Sequence, residues 1–304
     1  MSYVMPGRPA VARIVAFVVI VFALLTALSN AVSVTTQHIA STTDAGRSSG
    51  WRLVLSLLRH PLWLFGAAAQ AAAFVFQALA LHKGEVSVVQ PLLAMELVFA
   101  LLLRRFWIHQ SVLLVTWGGA ALACLGLALF IVEGEPRGGQ SAPTSQHWIG
   151  AIVTCLAAAG ILTALAQRGS PGRRSALFAS AAAIMWALVA AFIKSATDTL
   201  TQFGIGGMFL HWPVYALAAG GVAGIFLEQS ALHTGPLRVS QPLMVIIDPI
   251  VSIALSVWLF GERFIPNAVM LAVAGAGFAM MCAGVVLLTQ TAPATMQANV
   301  RRDG

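Results

Sequence analysis

Residues 80–92 read ALHKGEVSVVQPL, and residues 231–243 read ALHTGPLRVSQPL. The two stretches share Ala-Leu-His, a glycine and Gln-Pro-Leu at one fixed offset. Both copies lie within long apolar runs. The chain therefore contains a duplicated unit that is embedded in apolar sequence, and self-similarity at a fixed offset is the signature of an internal repeat.

The composition of the 304 residues predicts a membrane protein. Hydrophobic residues make up 59% and charged residues 9% of the chain, whereas soluble domains carry about 25% charged residues. Most apolar runs exceed the roughly 18 residues that indicate a spanning helix. Long continuous runs exclude the alternating pattern of a β-barrel. We predict an all-α, polytopic helical bundle that forms one transmembrane domain over residues 1–304.

The apolar runs predict nine spans. They cover residues 14–40, 60–82, 86–106, 111–133, 147–167, 174–198, 207–232, 236–260 and 266–290. The polar segment 133–146 separates a first repeat (14–133, spans 1–4) from a second (147–290, spans 5–9). Residues 291–304 are expected to form a flexible tail.

The basic residues predict the orientation. A net charge of +7 is compatible with nucleic-acid binding, but the basic residues lie in short clusters between apolar runs, so we expect no nucleic-acid partner. About five of them fall on the side of the N-terminus and about eleven on the other, and basic loops face the cytoplasm. We expect a protein of the cell membrane with its N-terminus outside and its C-terminus in the cytoplasm.

The span count makes the duplication an inverted one. Spans 2–4 correspond to spans 7–9, five crossings later, and an odd separation turns the second copy over. The same offset matches three further pairs: His60 with His211, Trp107 with Trp258, and Gly126 with Gly277. Inverted repeats are typical of transporters that work by alternating access.

The second copy carries a recognisable pattern. Asp248-Pro249 lies within an apolar run, and Leu259-Phe260-Gly261-Glu262-Arg263 closes that run. In these features the chain resembles the drug/metabolite transporter (DMT) superfamily, EamA-like, and with nine spans it is most similar to the NIPA-type magnesium transporter branch. In the first copy, Leu97-Val98 and Gln110-Ser111-Val112 replace the two motifs. The resemblance implies a transporter and leaves the substrate open.

Polar side chains inside the first two spans are candidates for a substrate pathway. Thr26, Asn30, Ser33 and Gln37 recur at intervals of 4, 3 and 4 residues, which places them on one helical face. Gln70 and Gln77 share a face of span 2. The alternative is that these side chains only hydrogen-bond neighbouring helices together.

The later spans add acidic candidates to this pathway, because ionisable residues within a bilayer usually face a cavity. The candidates are Glu96 in span 3, Glu228 in span 7, and Gln241, Asp248 and Ser252 on one face of span 8. Pro249 removes a backbone donor and frees the carbonyl of Val245. For Asp248, the alternative is a carboxylate capped by a neighbouring hydroxyl at a proline kink.

Three further groups have expected roles outside the pathway. Lys194 either reaches to the membrane interface or forms an ion pair with Glu228 or Asp248. Glu262 and Arg263 are expected to form a local turn ion pair. The tryptophans near the predicted span ends, Trp148 and Trp212 among them, are expected to anchor the protein in the interface.

The sequence favours a secondary transporter for a small solute over an enzyme. The first alternative is a NIPA-type transporter of magnesium or another divalent cation; the second is a polytopic enzyme acting on lipid, which lacks a recognisable catalytic motif. We expect no catalytic residue, no resident metal and no cofactor. The expected partners are a small molecule or a cation as substrate and the lipid bilayer; a homodimer stays open.

Overall fold

The described part of the chain is helical. The computed structural model describes residues 8–44, 60–107, 109, 112–134, 143–235, 237–263 and 268–300, and within these ranges it contains ten helices and no β-strand. The helices are α1 (Arg8–Asp44), α2 (Pro61–Lys83), α3 (Val86–Leu93), α4 (Met95–Phe106), α5 (Leu114–Gly134), α6 (Ser145–Leu165), α7 (Pro171–Met208), α8 (Trp212–Thr234), α9 (Leu237–Phe260) and α10 (Ala268–Val300).

Nine stretches of these helices are long and apolar enough to cross a membrane. Eight lie within single helices, and the ninth combines α3 and α4 as Val86–Phe106. Their bounds lie within a few residues of the predicted spans at every crossing except the sixth. The predicted fold class, an all-α polytopic bundle, is confirmed for the described residues, and the chain is a multi-pass membrane protein.

The sixth span is longer than the sequence predicts. Helix α7 runs to Met208, whereas the prediction ends the span at residue 198. The hydroxyls of Thr197, Thr199 and Thr201 donate to the carbonyls of the residues four positions earlier, so this polar segment satisfies its side chains within the helix. A kink at Gly204, with a φ of 71°, marks the last turn.

The last helix also continues beyond its predicted end. Helix α10 extends to Val300, where a flexible tail is expected from residue 291. Alanine, methionine and glutamine are good helix formers, and they make up half of residues 291–300, so the span is prolonged by a helical extension. The final residues, 301–304, lie outside the described part.

The third span is broken, while its counterpart in the second repeat is continuous. Helix α3 contains Pro91 and ends at Leu93, and α4 begins at Met95. Helix α9 remains a single helix although it contains Pro242 and Pro249. The two copies of the duplicated unit therefore differ at this crossing.

The chain divides into two compact units. The first comprises Met1–Lys83 and Leu92–Val112, and the second comprises Gly84–Pro91 and Leu113–Gly304. In the first unit α1 packs against α2 and α4. In the second, α7 is the central helix, because α6, α8 and α9 all pack against it, and α5 packs against α10.

The bounds of two helices follow the repeat offset. The offset that separates Ala80 from Ala231 also relates the first residues of α2 and α8, Pro61 and Trp212, and their last residues, Lys83 and Thr234. Equivalent stretches of sequence have therefore formed equivalent helices.

Equivalent glycines meet where α5 packs on α10. A methyl group at Gly126 would collide with the backbone of Gly277 and Met281, and one at Gly277 would collide with the backbone of Gly126 and Phe130. The contacts are reciprocal, because Phe130 and Met281 are themselves separated by the repeat offset. Reciprocal contacts of this kind are the pattern of a two-fold axis.

The same pair of helices is antiparallel. Gly126 lies against Met281, whereas Gly119, earlier in α5, lies against Gly284 and Leu287, later in α10. Equivalent helices of two repeats run antiparallel when one repeat is upside down relative to the other. The packing of α5 on α10 has the direction that the predicted inversion requires.

Candidate functional site

A polar network in the second unit surrounds Glu262. Its carboxylate accepts hydrogen bonds from the backbone N–H of Val86 at 2.8 Å and of Ser87 at 3.2 Å, and from the Ser87 hydroxyl at 2.6 Å. The first N–H groups of a helix have no partner within it, and the N-terminus carries partial positive charge. The Glu262 side chain therefore caps α3.

A glycine turn places this carboxylate. Helix α9 ends at Phe260, and Gly261 follows with a φ of 64°, a left-handed conformation in which glycine avoids a steric penalty. The N–H of Glu262 then donates back to the carbonyl of Ser256 at 3.2 Å. The Gly-Glu pair quoted above thus has a physical role: Gly261 turns the chain and Glu262 binds another helix.

Lys194 completes the network from α7. Its ammonium group donates to the carbonyl of Gly84 at 2.9 Å and lies 3.8 Å from the Glu262 carboxylate. It also lies 5.2 Å from the centre of the Phe260 ring, within the range of a cation–π interaction. Glu262 is fully buried and Lys194 is nearly so. Loss of either side chain would leave the other charge buried without its partner, which is strongly destabilising.

This network corrects two expectations from the sequence. Lys194 does form an ion pair, but with Glu262 and not with Glu228 or Asp248. Glu262 is buried against Lys194 and α3, whereas Arg263 is exposed, so the local turn ion pair is wrong. The capped N-terminus of α3 supplies the partners that a local turn could not offer.

Glu85 lies beside the network, between the second and third spans. Burial raises the pKa of its carboxyl above the usual value. A backbone hydrogen bond and Lys194 lower this pKa, while the negative charge of Glu262 raises it further, and the net direction is upward. The region thus holds two carboxyl groups and one ammonium group.

Glu228 is bound by Trp186, which the sequence patterns did not indicate as a site residue. The indole N–H of Trp186, in α7, donates to the Glu228 carboxylate at 3.0 Å. The ring of Trp186 packs on Gly224, whose missing side chain leaves room for it. Trp186 lies in the middle of a span and not near an end, and that position is the signal that could have identified it.

Asp248 lies in the interior of α9, beside Pro249. The hydroxyl of Ser252, one turn later and fully buried, donates to its carboxylate at 3.1 Å. This is the capped arrangement given above as the alternative to a functional acid. A single hydroxyl donor leaves most of the acceptor capacity of a carboxylate unused, so the arrangement is compatible with both interpretations.

The polar face of α1 mainly binds its own helix and α2. Thr26 donates to the carbonyl of Phe22, Gln37 donates to the Ser33 hydroxyl, and the Gln70 amide of α2 donates to Asn30 at 3.2 Å. The Asn30–Gln70 bond joins two helices, as the alternative to a pathway role requires. A role of this face in transport remains a prediction.

The other predicted pathway residues are partly exposed. Gln77 lies in α2, Glu96 in the first turn of α4, and Gln241 in α9. Gln77 and Glu96 belong to the first unit, whereas Gln241, Glu228 and Asp248 belong to the second. Within the second unit, Glu228 and Asp248 lie on α8 and α9, which both pack against α7.

Two buried polar side chains accompany the repeated Gln-Pro motif. Gln90 is 2% exposed and Ser240 is fully buried. Among the residues that the structure describes, neither the Gln90 amide nitrogen nor the Ser240 hydroxyl has a hydrogen-bond partner. Buried polar groups are normally paired, so both positions are suited to a polar ligand or to a partner in another conformation. Ser240 was not identified from the sequence.

An aromatic cluster lies between α6, α7 and α8. The Trp148 ring stacks on Phe192 at 5.5 Å between centres and meets Trp212 edge to face at 5.0 Å. Trp148 is only 6% exposed, so the expectation that it anchors the protein in the interface is wrong. Its position one turn into α6 directs the ring onto α7.

The described residues do not assemble a metal site of the usual kind. Within them, no group of three or more His, Cys, Asp or Glu side chains is arranged to hold a metal ion. Cys124, Cys155 and Cys282 are free thiols.

The chain is 29% identical over 246 residues to an uncharacterized protein of Corynebacterium glutamicum, covering 81% of this chain and 85% of that protein. No protein-family model matches the chain. No solved structure matches it.

Proposed function

We propose that this membrane protein is a secondary transporter that moves a small solute by alternating access. The observation that carries the proposal is the reciprocal, antiparallel packing of α5 on α10 through Gly126 and Gly277. Two related halves of opposite orientation provide two conformations of similar energy, one open to each side of the membrane.

The intramembrane acids support this proposal. A charged side chain in a span is costly and usually serves a pathway for ions or substrate. The bonds described for Glu228 and Asp248 come from an indole N–H and a hydroxyl, and neither donor carries a positive charge. We assign these two carboxylates to coupling with a cation or to holding a basic group of the solute.

The broken third span is a second supporting feature. Transporters commonly form their sites from discontinuous helices, whose interrupted backbone lines a cavity. The break between α3 and α4 follows Pro91, next to the buried amide of Gln90. The sequence resemblance to the DMT superfamily, quoted above on Asp248-Pro249 and Gly261-Glu262-Arg263, supports the same proposal.

Uptake by proteoliposomes tests the function and the site together. Liposomes containing the protein, with and without an inward proton gradient, would be exposed to a mixture of metabolites, and the accumulated solutes identified by mass spectrometry. We expect at least one small solute to accumulate above the level of empty liposomes. If no solute accumulates and magnesium does, the divalent-cation alternative replaces this proposal.

Neutral variants then test the assigned acids. We expect Asp248→Asn and Glu228→Gln to insert normally and to reduce uptake of that solute to the level of empty liposomes, because each removes an intramembrane negative charge. Glu133→Gln is the matched control, since Glu133 lies in the last turn of α5. Wild-type uptake by both neutral variants would contradict the site assignment.

A further inference from the structure

A cavity lies at one end of the second unit, and none of the proposed pathway residues is among the residues described as lining it. It has a volume of about 360 Å³ and is bordered by the start of α6, the last turns of α7 and the start of α8. By the predicted topology, all three segments lie on the outer side of the membrane. The volume is within the range of small-molecule sites, about 300–1,000 Å³.

Two indole rings form part of its wall. Trp148 and Trp212 both line the cavity, and their rings meet edge to face at 5.0 Å. Trp148 is held from behind by stacking on Phe192, so its ring is fixed before any ligand arrives. Tryptophan is the aromatic side chain that attracts cations most strongly.

The polar groups of the wall favour a cation as well. Asp198 is the one acid among the residues described as lining the cavity, and none of them is a lysine or an arginine. His211 also lines it, with its Nδ1 2.8 Å from the carbonyl of Gly207. A carbonyl only accepts hydrogen bonds, so Nδ1 carries the proton, and in the neutral ring Nε2 is an acceptor.

The nearest basic residue on α7 is engaged elsewhere. Lys194, one turn before Asp198, binds the Gly84 carbonyl and pairs with Glu262. Asp198 can attract a cation while it keeps other contacts, because a carboxylate has about four acceptor sites and its field extends beyond direct contacts.

We propose that this cavity binds a small organic cation, of the class of quaternary ammonium or protonated amine compounds. The cation lies against Trp148 and Trp212, and Asp198 supplies the opposite charge. The inference does not depend on the transport proposal, because binding at this site is measurable in the purified protein without any movement across a membrane.

The test compares choline with its neutral isostere, 3,3-dimethyl-1-butanol, which has the same shape and no charge. Binding of each to the purified full-length protein in detergent would be measured by calorimetry at constant ionic strength. We expect choline to bind at least about tenfold more tightly than the isostere. We expect Asp198→Asn to remove this preference, and Glu133→Gln, outside the cavity, to retain it.

Variants of Trp212 distinguish the contribution of its aromatic ring to choline binding from an effect of the substitution on folding. Trp212→Leu should weaken choline binding by at least about fivefold, while Trp212→Phe, which keeps an aromatic ring, should retain most of it. Three results would each overturn the proposal: no binding of choline, equal binding of choline and the isostere, or unchanged choline binding in both Asp198→Asn and Trp212→Leu.

Discussion

At the scale of single residues, Glu262 shows how a buried charge is tolerated at the end of a span. The carboxylate is fully buried and receives three hydrogen bonds from the first residues of α3. Without partners, the desolvation of such a charge would cost several kcal/mol. The helix N-terminus, the Ser87 hydroxyl and Lys194 together offset that cost. Removing any one of these partners therefore leaves part of the desolvation cost uncompensated.

Truncation of Glu262 should therefore be severe. We expect Glu262→Ala to destabilise the protein by about 3–5 kcal/mol, because it leaves Lys194 buried without its partner and uncaps α3. Lys194→Met in the same background should recover part of the loss, since it removes the unpaired charge. Unfolding of the wild type, both single variants and the double variant, each purified in detergent and followed by circular dichroism, gives the four free energies of this double-mutant cycle.

Arg263→Ala is the matched control for that cycle. Arg263 is adjacent in sequence but exposed, and exposed substitutions usually change stability by no more than about 0.5 kcal/mol. If Arg263→Ala destabilised the protein as much as Glu262→Ala, that result would support the local ion pair between Glu262 and Arg263 and contradict the network described here.

Sequence patterns could not predict the hydrogen-bond partners of Glu262. Glu262 and Val86 are separated by 176 positions, and a pairing at that distance leaves no local periodicity to detect. Asp248 and Ser252, by contrast, lie four positions apart on one helix, and their common face was evident from spacing alone. Sequence identified the polar residues of single helices, and the fold decided which of them bind across helices.

At the scale of elements, the close packing of α5 on α10 depends on glycines, which have no side chain to separate the two backbones. Gly119 and Gly126 of α5 face Gly284 and Gly277 of α10. Small residues allow backbones to approach closely, which is a principal means of helix association in membranes. The apolar runs predicted both helices. They did not predict which glycines make the contact, because an added methyl group at Gly118 or Gly275 in the same helices would meet nothing within 4 Å.

A pair of glycine substitutions in one helix tests this contact. We expect Gly126→Ala to destabilise the protein by about 1–3 kcal/mol, since the added methyl group meets the backbone of Gly277 and Met281. Gly118→Ala in the same helix meets nothing within 4 Å, so it should be neutral or stabilising. Thermal unfolding in detergent compares the two; equal effects would contradict the described packing.

At the scale of the whole molecule, the orientation of the two repeats decides whether alternating access is available. An odd number of crossings between equivalent helices places their equivalent ends on opposite sides of the membrane. Helices α2 and α8 share bounds through the repeat offset, so their last turns should be accessible from opposite sides. A direct repeat would place both on the same side.

Cysteine labelling in intact cells distinguishes these two topologies. In a variant with Cys124, Cys155 and Cys282 replaced by alanine, Lys83→Cys should react with a membrane-impermeant maleimide from outside. His233→Cys should react only after the membrane is permeabilised, because the predicted excess of basic loops places that end of α8 in the cytoplasm. Both native side chains are exposed at the last turn of their helices, so access to the reagent depends on the side of the membrane and not on burial. Labelling of both positions from the same side would show that the repeats are not inverted, and the alternating-access proposal would lose its structural basis.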